Sequence, residues 1–355
     1  MRILVLGGTA WLGGEIARRA LERGHQVTCL ARGRAGSAPV GATFVAADRG
    51  RPTAYGQVSG QDWDVVVDVS WQPGQVRGAL QALADRARHW VYVSSGSVYA
   101  EHCVMDQDES GPLLPAVEGD HATGEEYGGA KVACEQRCAE AVGDRLLVAR
   151  AGLIAGYGDL SDRFGYWPGR MALAARDGGP VLVPDGLEAS AQAVDVGDLA
   201  RWLVDAGASG TTGTVNAVGP RRTLADVLDA ARAASGYTGE LVPVSSDWLL
   251  EQGVEEYMGP RSLPLWIADP DWAAFSARSG AAAAAAGLTH RPLAALVADS
   301  LRWERELGLD RTDRRAGLTR AQERELLDAA ARSTPPVPVP VPVPASAPGP
   351  DPEPG

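Results

Sequence analysis

Residues 2–14, Arg2-Ile3-Leu4-Val5-Leu6-Gly7-Gly8-Thr9-Ala10-Trp11-Leu12-Gly13-Gly14, decide how the rest of this 355-residue chain is read. Four aliphatic residues run straight into a glycine-rich turn, and the turn runs into a segment of helical period. A turn this tight needs residues without bulky Cβ groups, so that backbone N–H groups and the start of the helix can approach a pyrophosphate. The spacing is Gly7-x-x-Ala10-x-x-Gly13, in the first strand-turn-helix unit of the chain, where a dinucleotide requires it. Gly7, Thr9, Ala10, Trp11, Leu12 and Gly13 are therefore expected to touch a cofactor.

Outward from this unit, strands are expected at residues 2–6, 26–30, 43–47, 64–69, 90–94 and 145–149, with helices at 12–23, 76–88 and 123–142 between them. Alternation of this kind predicts a doubly wound α/β fold, a parallel sheet covered on both faces. Gly24 stands where the first helix should end in a left-handed residue. After residue 150 the elements shorten, to strands near 181–183, 214–217 and 241–244 and helices near 197–205 and 224–235. The expected division is a dinucleotide-binding core at 1–150, a substrate lobe at 151–332 facing the carboxyl ends of the strands, and a tail at 333–355.

Thr319 and Gln322 make a capping-box pattern ahead of a mixed-charge helix, whose charges read as a solvated face. Ten of the 24 prolines lie between Pro335 and Pro354. That tail is expected to be disordered, an exposed polyproline II segment that solubilises the chain or meets an aromatic-grooved partner.

Composition narrows the function classes. Lys and Arg number 33 against 45 Asp and Glu, a formal charge of −12, which argues against a surface built for nucleic acid or anionic lipid. A small-molecule substrate is the better expectation. Four cysteines are too few for a disulfide framework and suit a reducing cytoplasm, and Cys134 and Cys138 lack the partners a metal site needs. No apolar run approaches the roughly 18 residues of a spanning helix, so neither export nor a membrane is expected.

An NAD enzyme of this plan carries an acidic residue at the end of the second strand to accept from the ribose 2′-hydroxyl. Here the run is Thr28-Cys29-Leu30-Ala31-Arg32-Gly33-Arg34. With the acid absent and Arg32 available for a 2′-phosphate, NADP is the expected cofactor and NAD the alternative. Asp48 and Arg49 close the third strand and are expected near the adenine, and Ser70 follows the fourth strand beside the cofactor.

The fifth strand ends in Val93-Ser94-Ser95-Gly96-Ser97-Val98-Tyr99, and a later helix carries Tyr127-Gly128-Gly129-Ala130-Lys131. Tyr and Lys four apart share one helical face, where the ammonium stabilises a phenolate and makes the hydroxyl a usable proton donor and acceptor. Ser95 can hold a substrate oxygen. Ser95, Tyr127 and Lys131 are thus the expected catalytic set, with the last two also touching the cofactor. Trp167, Trp266, Trp272 and Trp303 are candidates for an apolar cleft or, more simply, for core packing.

In this order the motifs resemble those of the extended short-chain dehydrogenase/reductases, the NAD-dependent epimerase/dehydratase family, over residues 1 to about 310. Gly7 to Gly13 is similar to the family's TGGxGxxG, with Leu6 for Thr and Ala10 for Gly. Ser95, Tyr127 and Lys131 match its catalytic set, and Val194 to Leu199 is similar to its DVxDLA run. The resemblance implies a Rossmann-type core, hydride transfer at a nicotinamide and a homodimer packed through the Tyr-Lys helix. Two departures narrow it. Ser95 is followed by Gly96-Ser97 rather than the Asp-Glu of the dehydratases, and Arg150-Ala151-Gly152-Leu153 puts an aliphatic side chain where RxxN supplies an amide to a sugar diphosphate. The expected function is a reductase or dehydrogenase of a small carbonyl or alcohol. The alternatives are a nucleotide-sugar epimerase and a non-catalytic RNA-binding protein on the same fold.

Overall fold

The computed structural model describes residues 1–333; the proline-rich tail lies outside the described residues, apart from its first position. The first half alternates as expected: β1 (Arg2–Leu6), α1 (Trp11–Glu22), β2 (Gln26–Ala31), β3 (Thr43–Ala46), β4 (Trp63–Asp68), α2 (Pro73–Leu83), β5 (Ala87–Ser95), α3 (Tyr127–Val142) and β6 (Leu146–Ala151). The chain then leaves the sheet through β7 (Leu153–Ala155), α4 (Tyr166–Asp177), β8 (Val181–Pro184) and β9 (Ser190–Asp195). It returns with α5 (Val196–Ser209) and β10 (Gly213–Ala217).

Seven of these strands form one parallel sheet in the order β10-β6-β5-β4-β1-β2-β3. The strand order reverses beside β1, so the carboxyl ends of β1 and β4 flank the crevice in which such sheets bind ligands. Alternate residues of each strand feed two apolar layers. Ile3, Val5, Val65, Val67 and Val91 pack under α1 and α5, while Leu4, Leu6, Val66, Trp90 and Tyr92 pack under α2 and α3. Cys134 and Cys138 lie in the second layer as buried free thiols, both pushed up by burial. Among the described residues no cluster of three or more His, Cys, Asp or Glu is arranged to hold a metal, and no helix is long and apolar enough to cross a membrane.

Three expectations need correction. The helix expected at 76–88 ends at Leu83, because Ala87 pairs with Trp63 and starts a strand. The helix expected from 123 starts at Tyr127, because Thr123–Glu126 forms a turn in which Glu126 Oε2 accepts the Thr123 N–H at 2.9 Å. The boundary expected at residue 150 does not divide the sheet: α5 packs on α1 and β10 is an edge strand beside β6, so residues well beyond 150 complete the core.

The second half continues with β11 (Arg221–Thr223), α6 (Leu224–Ser235), β12 (Leu241–Val244), α7 (Ser246–Glu251), the short parallel pair β13 (Glu255–Glu256) and β14 (Ser262–Leu263), α8 (Ala281–Ala285), α9 (Leu293–Leu307) and α10 (Arg320–Ser333). Apart from α8, whose Ala283 packs in the layer under α1 and α5, they build with α4 and β8 a second apolar core around Phe164, Trp167, Leu182, Leu228, Trp266 and Val297. Trp167 and Trp266 are therefore core residues, the former donating its Nε1–H to the Pro264 carbonyl at 2.7 Å. The capping box is present: Thr319 N–H reaches Gln322 Oε1 at 2.8 Å, and Gln322 N–H reaches Thr319 Oγ1 at 3.3 Å. The face of α10 is not wholly solvated, because Glu323 is buried in an ion pair with Arg170 and accepts the Leu182 N–H at 3.0 Å.

Candidate active site

The glycine-rich turn has little room for side chains. Gly7 has φ +97°, and a Cβ on Gly13 would collide with the Gly7 carbonyl oxygen. A Cβ on Gly8 would stand 2.6 Å from the Cys29 sulfur on β2. The turn closes through Ala10 N–H to Gly7 carbonyl at 3.0 Å, and α1 starts at Trp11 without a side-chain cap. Its first-turn N–H groups and positive dipole end therefore face the carboxyl edge of the sheet, an arrangement suited to a pyrophosphate. Two cavities meet at Ala10 and Val69 on this edge, of about 360 and 940 Å³.

The smaller cavity is walled by Gly7, Thr9, Ala10, Arg32, Arg34 and Ser70, among others. Arg32 and Arg34 are exposed, and among the described residues no carboxylate lies within ion-pair distance of either. Of the expected adenine contacts, Arg49 is already committed. Its Nη1 and Nη2 bind Asp68 at 2.8 and 2.6 Å, its Nε reaches the Tyr55 hydroxyl at 3.0 Å, and Nη2 also reaches the Gln75 carbonyl at 3.1 Å. It borders the cavity as a buried tie between the β3–β4 loop, β4 and α2. Asp48 accepts the Gly50 N–H at 3.1 Å and does not wall the cavity. Ser70 does, with its Oγ donating to Gln75 Oε1 at 2.8 Å. These residues fit a dinucleotide: the glycine-rich turn leaves its backbone open to a pyrophosphate, and two guanidinium groups stand in the same cavity wall.

The larger cavity brings together Trp11, Leu12, Gly13, Ser95, Tyr127 and Lys131. Gly128 makes this possible. A Cβ there would collide with the Ser97 carbonyl, so its absence lets the start of α3 close on the turn that follows β5, carrying Tyr127 toward Ser95. Ser95 Oγ accepts the Ser97 N–H at 3.1 Å and contacts Ser97 Oγ at 3.1 Å. Lys131 is buried, and its Nζ donates to the Ser70 and Val93 carbonyls at 2.9 and 2.6 Å while standing 4.8 Å from the Tyr92 ring centre. An ammonium has three donors, so one N–H remains for a ligand.

Several lining residues escaped the sequence reading. Trp71, in the wall of the smaller cavity, packs against Tyr127, ring centres 5.6 Å apart, and Ser94 presents to the larger one a buried hydroxyl without a partner among the described residues. Trp71 follows β4, where an aromatic beside the expected Ser70 was the available signal. Asp159, Arg163, Gln192, Tyr257, Arg278 and Arg315 arrive from the second lobe, and no local pattern marks them. Burial pushes the Asp159 carboxyl up despite its bonds from Ser161. Trp272 and Trp303 do not line the cleft. Trp303 supports it from behind, donating to the Asp159 carbonyl at 2.8 Å, and Trp11, itself in the wall, donates to the Tyr157 carbonyl at 2.9 Å. Leu153 stands in the wall.

Residues 3–219 match the model of the NAD dependent epimerase/dehydratase family. Among solved structures, the UDP-glucose 4-epimerase of Thermotoga maritima, determined with UDP-glucose, superposes with a TM-score of 0.62 at 16% identity, covering 86% of this chain and 99% of that one. The UDP-glucose 4-epimerase of Thermus thermophilus, a complex with NAD, gives 0.60 at 18% identity with the same coverage. At these identities the likeness is one of fold. A curated relative, the photosystem II assembly factor Ycf39 of Synechocystis, is 38% identical over 73 residues, so the match spans only 20% of this chain and 22% of that protein.

Proposed function

This chain belongs to the NAD dependent epimerase/dehydratase family, and from that premise we propose that it is an NADP-dependent oxidoreductase acting on a carbonyl or secondary alcohol of a small molecule. The observation that carries the reading is one cleft, next to the glycine-rich turn, lined by Ser95, Tyr127 and Lys131 together. Ser95 Oγ holds the substrate oxygen. The Tyr127 hydroxyl gives a proton to that oxygen during reduction and takes one from it during oxidation. Lys131, pinned by two carbonyls, turns its remaining N–H to the cofactor ribose and stabilises the phenolate by its charge. When bound, the nicotinamide supplies or accepts the hydride.

Two details support the finer assignment. Among the described residues Arg32 and Arg34 pair with no carboxylate, and both wall the smaller cavity, where a 2′-phosphate would meet charge-assisted hydrogen bonds that a 2′-hydroxyl cannot match. Leu153 supplies no hydrogen bond to a sugar diphosphate, which favours a smaller substrate than a nucleotide sugar.

The test is a panel of carbonyl compounds, alcohols and nucleotide sugars, followed by the absorbance of reduced nicotinamide with purified protein. Net consumption of NADPH by a carbonyl compound is the expected result. Inversion of a nucleotide sugar with no net change in cofactor would replace the reading by an epimerase. Salt-sensitive RNA retention without cofactor binding would remove the enzyme altogether.

A further inference from the structure

Arg278 is a buried cation with no carboxylate partner among the described residues. It is 3% exposed, on the segment ahead of α8. Its Nη2 donates to the Glu101 carbonyl at 3.2 Å and meets His102 Nδ1 at 2.7 Å, its Nη1 bonds Gln107 Oε1, and its Cζ lies 3.9 Å from the Tyr99 ring centre. All four neighbouring groups are neutral, and its buried Nε has no hydrogen-bond partner. The contrast with the other buried arginines is direct. Arg49, Arg150, Arg170 and Arg314 pair with Asp68, Glu135, Glu323 and Glu304. Among the described residues no carboxylate pairs with Arg278, and burial with the nearby Arg150 cation pulls its guanidinium down to about 10. A buried charge of this kind is unfavourable until a counter-ion arrives.

Its place in the cleft says where that counter-ion belongs. Arg278 lines the larger cavity, and its Nε is 3.7 Å from the position a Cβ on Gly96 would take, one residue (about 3.8 Å) from Ser95. Arg163 and Arg315 line the same cavity, and among the described residues neither takes part in an ion pair. In a chain of formal charge −12, this cleft presents Lys131, Arg163, Arg278 and Arg315 against Asp159 and Glu255. Asp159 is already turned to Ser161.

We propose that the substrate is a small anion whose carboxylate or phosphate seats on Arg278 beside Ser95, within a few bonds of the carbon that exchanges the hydride. The proposal rests on the cleft being the substrate site of the Ser95, Tyr127 and Lys131 set. It separates the substrate from nucleotide sugars that react across the ring, since a pyranose lies between their diphosphate and the reacting carbon. Hydroxy acids, oxo acids and phosphorylated small alcohols or ketones meet the requirement.

The test uses full-length protein saturated with NADPH and titrated with malonate, inorganic phosphate or UDP at constant ionic strength, read by tryptophan fluorescence and thermal midpoint. Saturable binding of malonate or phosphate is expected, and the tighter of the two names the group. Arg278→Gln should weaken it about tenfold or more, and Arg278→Lys should restore part of the loss. Gly96→Ala serves where Arg278→Gln fails to fold, because its methyl meets Nε at ordinary contact distance and leaves the bonds to Glu101, His102 and Gln107 intact. Equal binding by wild type and variants, tighter binding of UDP than of both small anions, or no saturable binding would each overturn the proposal. NADPH titrated alone keeps the two readings apart. If it fails to bind, the oxidoreductase reading falls; if it binds and the small anions do not, only the anionic substrate falls.

Discussion

Arg150 at the end of β6 clasps Glu135 of α3 with two hydrogen bonds, Nε to Oε1 at 3.1 Å and Nη2 to Oε2 at 2.8 Å. The same guanidinium reaches the Tyr99 hydroxyl and the Glu109 carbonyl, each at 3.1 Å. One buried cation therefore ties the helix that carries Tyr127 and Lys131 to the sheet and to the segment after Ser95. Removing Glu135 alone leaves the cation stranded, so Glu135→Ala should cost about 3–5 kcal/mol of stability. Adding Arg150→Met should recover part of that loss in a denaturant titration. A double variant no more stable than Glu135→Ala would refute the assignment.

Tyr127→Phe removes only the hydroxyl, and the Trp71 contact is made by the ring. Turnover should fall by roughly two to four orders of magnitude while NADPH affinity stays near wild type. Lys131→Ala should harm both, since its ammonium is assigned to the ribose as well as the phenol. Steady-state kinetics beside cofactor titrations separate the two patterns, and near-normal turnover in Tyr127→Phe would end the catalytic assignment.

The proposed preference for NADP rests on Arg32 and Arg34, which wall the smaller cavity. Charge-assisted hydrogen bonds of this kind contribute roughly 1.5 to 3 kcal/mol, about tenfold to a hundredfold in affinity. Arg32→Ala should lose most of the preference for NADPH with little change in NADH binding, and adding Arg34→Ala should abolish it. Equal affinities for both cofactors in the wild type would reject NADP.

His102 stacks on Trp272 and is pulled from the usual 6.5 to about 4 by burial and then by Arg278. A histidine depressed in the fold contributes stability that is present above its unfolded value and lost as pH falls through the folded one. Acid should therefore weaken the fold between about pH 6.5 and 4 more steeply in the wild type than in His102→Asn. His25, His89 and His290 shift in the same direction, so the difference between the two proteins is the readout. Identical pH profiles would exclude the burial of a neutral His102.

Two truncations test α10. A chain ending at Arg332 keeps Glu323 on Arg170 and should melt with the full-length protein. A chain ending at Thr319 loses Glu323 and buried Leu326 and leaves Arg170 uncompensated, so its melting temperature should drop by several degrees. Equal losses in the two chains would mean that residues after 332 dock.

The parallel sheet, the glycine-rich turn and the placement of Tyr127 and Lys131 on one helix beside one cleft were legible because each is written within a few residues. Apolar runs specify strands, a missing Cβ permits a close approach, and a spacing of four places two side chains on one helical face. Only the tertiary structure decided that β10 returns to the sheet, that Arg49 commits its guanidinium to Asp68, and that Arg278 lines the same cleft as Ser95 with no carboxylate partner among the described residues. These relations join segments up to 183 residues apart, as between Arg278 and Ser95 (278 minus 95). No local period encodes them, because the partner a long charged side chain finds is set by which elements pack together, and packing is a property of the assembled layers.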